Sequence, residues 1–355
     1  MSYTFLLSRL SGGNFSADAK RSGLLRSIAF VVPRVRIQVN ETFAATTTAV
    51  RQRTANPTSR QRARMSTASN AFADAARSTA ASGSAVYEGE RAVHEYVQFH
   101  FGKPEEVLPH DCGPKQALGF TRRCADLCIE AMGNGAGLDG GSSRGRSSSR
   151  GLRAFDVGCS VGGITFELTR GFDEVLGLDY SSKFVEAADR MRVEGRMEYQ
   201  CLEQGSVVLR REALLPERTV PSNASFMQGD ACALDVETLG SFDAVLASNL
   251  LCRLPKPKSF LNDLSALVKP GGVAVLVSPY SWLAEYTPQS EWLGGVREEG
   301  GAEGEMVDSF DRIRELMEAG GSFKLEKRVP MPFLIREHAR KFQWGCSDGT
   351  VWRRV

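Results

Sequence analysis

The stretch Phe155-Asp156-Val157-Gly158-Cys159-Ser160-Val161-Gly162-Gly163 puts a carboxylate two residues ahead of a turn made of small residues. Such a turn bends sharply and lets a ligand lie against bare backbone. Two of the chemistries that use it fit poorly here. Gly158, Ser160 and Gly163 follow the dinucleotide pattern G-x-G-x-x-G, but the middle glycine, which admits the pyrophosphate, is replaced. Gly158 to Gly162 also spells the G-x-S-x-G of a hydrolase nucleophile turn. That reading needs a downstream acid and then a histidine, and His338 is the only histidine after Ser160.

The third chemistry is the binding of S-adenosylmethionine, whose loop is written loosely as acid-x-Gly-x-Gly-x-Gly. Asp156, Gly158 and Gly162 fit and Ser160 departs. A carboxylate at Asp156 suits the ligand's ammonium, directly or through water, and would repel a pyrophosphate. Further along, Val175-Leu176-Gly177-Leu178-Asp179 ends in an acid able to take both ribose hydroxyls, with Tyr180 next to it. Gly229-Asp230-Ala231 follows another apolar run, where Asp230 is placed to accept from an adenine amino group. Lys269-Pro270-Gly271-Gly272 is a turn ahead of a later strand. An acid at a strand end is often only a turn or helix cap, but four such features in order point to one ligand. With a methyl group on a sulfonium, the main task left to the protein is to align a nucleophile. The expected place is the switch point of the sheet, beside Asn249 and Tyr280 as candidate catalytic residues. For Asn249, a helix cap is the competing explanation.

These residues need strand ends to hold them. From residue 152 onward, strand-like and helix-like runs alternate: strands at 153–157, 175–179, 225–228, 242–248 and 273–278, helices at 163–170, 183–193 and 257–268. The pattern predicts an α/β, Rossmann-like, mostly parallel seven-stranded sheet with helices on both faces. Residues 323–329 and 350–354 read as an antiparallel pair at its edge. Apolar residues Val93, Tyr96, Val97 and Phe101 recur at helical spacing, and residues 124–132 form a second helical run. The expected organisation is an extension over 1–85, an N-terminal helical lid over 86–132, a Gly/Ser-rich loop over 133–151, and an S-adenosylmethionine-dependent methyltransferase domain over 152–355. Residues 197–223 read as a polar insertion.

Of 355 residues, 42% are hydrophobic and 24% charged, with a net charge of +2, so composition gives no argument for a nucleic-acid or membrane partner. The eight cysteines include no Cys-x-x-Cys pair and no zinc spacing, which predicts reduced core thiols, an intracellular protein and no metal. Residues 1–85 hold twelve Lys/Arg and only Asp18, Glu41 and Asp74 as acids. This is the composition of a mitochondrial or plastid transit peptide, of a disordered extension on a cytoplasmic protein, or of a reading frame that truly starts at Met65.

Longer stretches resemble a particular family. They are Tyr96-Val97-Gln98-Phe99-His100-Phe101-Gly102, Gly113-Pro114-Lys115-Gln116-Ala117-Leu118, Asn249-Leu250-Leu251-Cys252-Arg253-Leu254-Pro255, Ser278-Pro279-Tyr280-Ser281-Trp282-Leu283-Ala284-Glu285-Tyr286-Thr287-Pro288, Trp292-Leu293-Gly294-Gly295 and Met331-Pro332-Phe333-Leu334-Ile335-Arg336-Glu337-His338-Ala339-Arg340-Lys341. With the glycine turn, these are similar to the 4-mercaptohistidine N1-methyltransferase family, the methyltransferase module of ovothiol synthases. The resemblance implies methylation of an imidazole nitrogen on a thiol-bearing histidine. Larger members carry an iron-dependent sulfoxide synthase module. With only His94, His100, His110 and His338, this chain has no such iron site, so a separate sulfoxide synthase would supply the thiol. For the acceptor, Arg253 or Arg336 is expected to fork onto a carboxylate and Glu285 or Glu337 to meet an ammonium. Tyr280, Trp282 and Tyr286 are expected as an aromatic wall, with His338 nearby. Core packing for the aromatics and a structural charged face for residues 336–338 are the competing readings. Another small-molecule or protein acceptor, or a non-catalytic scaffold, are the competing functions.

Overall fold

The computed structural model of the chain describes residues 87–133, 151–297 and 304–355. The extension expected over 1–85 lies outside these residues, as does all but the two ends of the Gly/Ser-rich loop over 133–151.

Among the described residues, three α-helices come first: α1 (Glu90–Phe101), α2 (Pro104–Val107) and α3 (Phe120–Ala131). In α1, Val93 and Val97 are four apart and so share one buried face, which packs with Phe184, Met191 and Tyr199. In α3, Phe120, Cys124, Leu127 and Cys128 bury the face that meets Leu168, Val275 and Val277. The alternation that follows is β1 (Arg153–Val157), α4 (Gly163–Leu168), β2 (Glu174–Asp179), α5 (Ser182–Glu194), β3 (Arg196–Gln204), β4 (Val207–Leu214), β5 (Ala224–Gln228), α6 (Val236–Leu239), β6 (Phe242–Ser248), α7 (Pro257–Leu267) and β7 (Val268–Ser278). The chain closes with the short pair β8 (Val296–Arg297) and β9 (Met306–Val307), then α8 (Ser309–Glu318), β10 (Phe323–His338) and β11 (Lys341–Arg354).

The seven-stranded sheet runs β10-β11-β7-β6-β1-β2-β5. Strands β5, β2, β1, β6 and β7 are parallel; β11 is antiparallel to β7 and β10 to β11. Both faces are covered, and alternate residues supply the two cores. Phe155, Val157, Val245, Ala247, Ala274 and Leu276 face one cluster, whereas Ala154, Ala244, Leu246, Val273, Val275 and Val277 face the other. This is why the strands read as unbroken apolar runs. The fold is the expected Rossmann-like α/β sheet. The chain leaves β1 for β2 on one side, and β6 stands on the other, which makes the carboxyl ends of β1, β2 and β6 the switch point.

Two elements differ from expectation. The insertion is a β-hairpin: β3 and β4 pair antiparallel as a separate two-stranded sheet, with Met197, Tyr199 and Cys201 buried and Arg196, Glu198 and Gln200 exposed between them. The edge pair β10–β11 is much longer than the two short strands expected. It pairs from Phe323 with Arg354 to His338 with Lys341. All eight cysteines are free thiols, and Cys124, Cys128, Cys159, Cys201 and Cys252 are buried. Among the described residues, no helix is long and apolar enough to cross a membrane.

Candidate active site

The glycine turn is held by the strand next to it. The backbone N–H groups of Gly158 and Cys159 both donate to the Leu178 carbonyl, at 2.7 and 3.0 Å. Gly158 has φ +76°, and a Cβ there would stand 2.8 Å from Leu250 Cδ1, so only glycine serves. Gly162 has φ +85° and lies 2.7 Å, measured from an added Cβ, from the Phe226 ring, which ties α4 against β5. Ser160, where the usual pattern has glycine, still adopts φ 51°. Its hydroxyl is buried without a hydrogen-bond partner. A side chain in this region costs of order 1 kcal/mol, a strain that clusters at ligand sites.

Asp179 at the end of β2 fixes the turn from the other side. Its Oδ2 accepts from Ser160 N at 2.8 Å and its Oδ1 from Ser181 N at 2.9 Å. Each carboxylate oxygen has a second lone pair to offer a ligand. Burial, opposed by these backbone bonds, lifts its carboxyl to about 6. Asp230, after β5, accepts from Cys232 N at 2.8 Å. A cavity at the switch point is lined by Gly158, Ser160, Asp179, Tyr180, Asp230 and Ala231 on one side and by Asn249 and Arg253 on another. The structure therefore gathers eight of the sequence-expected residues around one space. An unpartnered hydroxyl, a bare glycine backbone and two acids fit the nucleoside of S-adenosylmethionine.

Asp156 is not on that wall. It is 0% exposed beneath the turn, where Oδ2 accepts from Thr165 Oγ1 at 2.7 Å and Oδ1 has no partner. Burial pushes its carboxyl up to about 7. An unfolded aspartate titrates near ~4, so the folded state of the ligand-free protein holds this proton over a window where the unfolded chain has lost it. The stability that proton brings is full below about 4 and is lost as the pH rises to 7. Asp156→Asn removes the charge and keeps an acceptor for Thr165. It is expected to raise the unfolding free energy of the ligand-free protein by about 1–2 kcal/mol at pH 8, with a smaller gain at pH 5. Paired denaturant titrations at the two pH values check this; a gain that grows on acidification contradicts the buried-charge reading.

The acceptor-side expectations divide. Asn249 has φ 53°, donates from its backbone to Val277 O at 2.7 Å and accepts from Ser347 Oγ at 2.7 Å through Oδ1. It caps no α-helix; it forms a turn on the cavity wall. Arg253 is steadied by Nη1 donating to Cys252 O and Ser281 O, both at 3.0 Å, and stacks its guanidinium 4.6 Å over Tyr286. Tyr286 in turn stacks on Tyr87, a lining residue, at 6.4 Å, so it stands directly behind the wall.

Tyr280, Trp282, Glu285, Arg336 and His338 are not among the residues that line the cavity. Tyr280 turns toward the edge hairpin, where its hydroxyl donates to Asp348 Oδ2 at 2.9 Å. Burial and that carboxylate push its hydroxyl far above the ordinary phenol range. Trp282 is buried with Nε1 donating to Ser309 Oγ at 2.9 Å. Glu285 is exposed on a surface turn. Arg336 is buried and its Nη2 pairs with Glu203 Oε2 at 2.6 Å, so β3, not a ligand, takes its charge. His338 sits at the β10–β11 turn, where Nδ1 accepts from Arg340 N at 3.2 Å. A hydrolase triad through Ser160 and His338 is therefore not assembled.

Sequence reasoning missed the contribution of the N-terminal helices. Tyr96, Phe99 and His100 of α1, together with Phe120 of α3, line the same cavity. Their spacing on one helical turn within an aromatic-rich run was the available signal.

Residues 155–276 match the family model described as a methyltransferase domain. Demethylmenaquinone methyltransferase of Lactococcus lactis is 30% identical over 130 residues, covering 36% of this chain and 42% of that protein. A ubiquinone biosynthesis O-methyltransferase of Ralstonia nicotianae is 31% identical over 122 residues, 34% of this chain and 41% of that protein. The chain thus spans about two fifths of the length of the curated relatives it matches. Among solved structures, magnesium protoporphyrin IX methyltransferase of Synechocystis with bound S-adenosylmethionine aligns at TM-score 0.40 and 14% identity, over 75% of this chain and 97% of that one. Residues 155–276 thus carry a methyltransferase domain.

Proposed function

We propose that this chain methylates an imidazole nitrogen of a thiol-bearing histidine, with S-adenosylmethionine as donor and the thiol installed by a separate sulfoxide synthase. The observation that carries the reading is the single cavity in which Asp179 and Asp230 face Arg253 and an aromatic wall. The acids suit a nucleoside; the arginine and rings suit a small aromatic amino acid. The bound donor supplies an electrophilic methyl group with sulfur as the leaving atom.

The protein's own residues do the rest. Asp179 accepts from the ribose while keeping Ser160 and Ser181 in place. Arg253 holds the acceptor's carboxylate, and its orientation is set by the Cys252 and Ser281 carbonyls. Tyr87, Tyr96 and Phe99 form an aromatic wall for an imidazole and keep water from it. Asn249, held by Ser347, follows the carboxyl end of β6 on the cavity wall and orients the ring. No strong base is required, because an unprotonated ring nitrogen already carries a lone pair. The arrangement gives such a nitrogen an advantage over a protonated nucleophile.

The experiment is a mass-spectrometric assay of the purified chain with S-adenosylmethionine and either 5-thiohistidine or histidine. The expected result is methylation of 5-thiohistidine with a kcat/KM at least ~10-fold above that for histidine. Equal turnover of both, or of neither, sinks the acceptor assignment. Calorimetry with S-adenosylhomocysteine tests the donor half separately, since a scaffold with no donor site binds none.

A further inference from the structure

The imidazole of His100 has a job that neither the glycine turn nor the family resemblance assigns. It stands on the last turn of α1, with its ring 5.3 Å from Phe99 and 6.0 Å from Tyr96. Gly163 N donates to its Nδ1 at 3.0 Å. The approach is close: a Cβ on residue 163 would lie 2.7 Å from that same nitrogen, so the glycine at the start of α4 exists to admit this ring. A backbone N–H only donates. Nδ1 must therefore be the unprotonated nitrogen, and the proton of the neutral ring resides on Nε2. Burial keeps the ring neutral, driving its titration down to about 3.

The ring lines the cavity, and Nε2 has no hydrogen-bond partner among the described residues. A neutral imidazole held this way has no lone pair left. It cannot take a proton from a nucleophile and cannot hold an ammonium. It can only donate one hydrogen bond, and an ionised oxygen is the strongest partner for it.

We infer that His100 is a ligand-binding residue whose Nε2–H donates to a carboxylate of the molecule bound in the cavity. The inference rests on the methyltransferase reading, under which two bound molecules carry that group: the aminoacyl tail of the methyl donor and the amino-acid acceptor. The same ring explains why a histidine in the cavity is not the general base.

Two variants separate the ring's two nitrogens. In His100→Asn, the amide oxygen takes the position of Nδ1 and still accepts from Gly163 N, but no donor remains at Nε2. His100→Gln places an N–H near the Nε2 position. On the full chain, calorimetry is run with S-adenosylhomocysteine and with methylthioadenosine, which lacks the carboxylate, and KM is measured for 5-thiohistidine. If the donor's tail is the partner, His100→Asn weakens S-adenosylhomocysteine at least ~10-fold and leaves methylthioadenosine unchanged. If the acceptor is the partner, both nucleosides bind as before and the acceptor's KM rises at least ~10-fold with kcat little altered. In either case His100→Gln recovers part of the loss.

The inference is overturned if all three quantities stay at wild-type values, or if both nucleosides weaken alike, which marks a structural effect. Where the wild type turns over no 5-thiohistidine, the nucleoside pair alone decides, and equal S-adenosylhomocysteine affinity in wild type and variant counts against it. A wild type that binds neither nucleoside overturns the methyltransferase reading first. Should the Asn variant fail to fold, imidazole nitrogen spectra of the wild type replace it: the Nε2–H signal of His100 shifts on adding S-adenosylhomocysteine or the acceptor, and no shift with either contradicts the inference.

Discussion

Asp179→Ala is expected to weaken S-adenosylhomocysteine binding by about 1–3 kcal/mol, roughly 5- to 150-fold, through lost hydrogen bonds to a buried ligand. Two separable causes contribute. The carboxylate is lost as the acceptor we propose for the ribose hydroxyls. It is also lost as the clasp that holds Ser160 N and Ser181 N, at 2.8 and 2.9 Å, and so the glycine turn to the start of α5. Ser181 itself caps α5, its hydroxyl accepting from Phe184 N at 3.2 Å, and donates to the Tyr87 carbonyl ahead of α1 at 3.2 Å. Loosening this clasp therefore loosens the hold on Tyr87, just ahead of α1, as well. Asp179→Asn distinguishes the causes, because the amide keeps one acceptor for a backbone N–H and loses the charge. Calorimetry should rank wild type above Asn above Ala. An unchanged affinity in the Ala variant would show that the ribose lies elsewhere.

Arg336→Met is expected to cost about 2–3 kcal/mol of unfolding free energy. Arg336 is 3% exposed, and its guanidinium joins Glu203 of β3 to the Glu106 carbonyl of α2. Removing it leaves the part-buried Glu106 carbonyl with only the long 3.5 Å bond from Gln98 Nε2, and Glu203 without its partner. Glu203 is 38% exposed, so water recovers part of that charge and the loss stays below that of a fully buried pair. Denaturant unfolding reads the loss directly. Steady-state kinetics should show kcat/KM for the acceptor unchanged at temperatures well below the midpoint. A variant of full stability with a raised acceptor KM would return Arg336 to the substrate site.

The contrast between Asp179 and Arg336 shows what could be read in advance. Asp179 was legible because its neighbours in sequence define its place: an apolar strand ends, the chain turns, and the acid stands at the carboxyl edge of a parallel sheet. Asp230 and the Gly158 turn share that short-range logic. Arg336 belongs to a run with Glu337 and His338 that reads equally well as a ligand clamp or as a structural charge. Its partner lies 133 residues earlier in the chain, on a hairpin whose composition reads as a polar insertion. That hairpin was itself legible in part, since Met197, Tyr199 and Cys201 alternate with polar residues at strand period. Tyr280 and Trp282 illustrate the same limit, for aromatic character predicts burial but not which cavity or core receives the ring.

The amino-acid sequence by itself determined the parallel sheet, the glycine turn and the acids at the strand ends. These follow from local periodicity and from backbone conformations that only certain residues adopt. The tertiary structure alone decided which polar side chains meet the ligand space. His100 and Tyr96 of α1 line that space, while Tyr280, Trp282 and Arg336 are taken up by Asp348, Ser309 and Glu203. Orientation of a long side chain is settled by whichever partner packing brings within hydrogen-bond reach, and those partners come from elements far away along the chain.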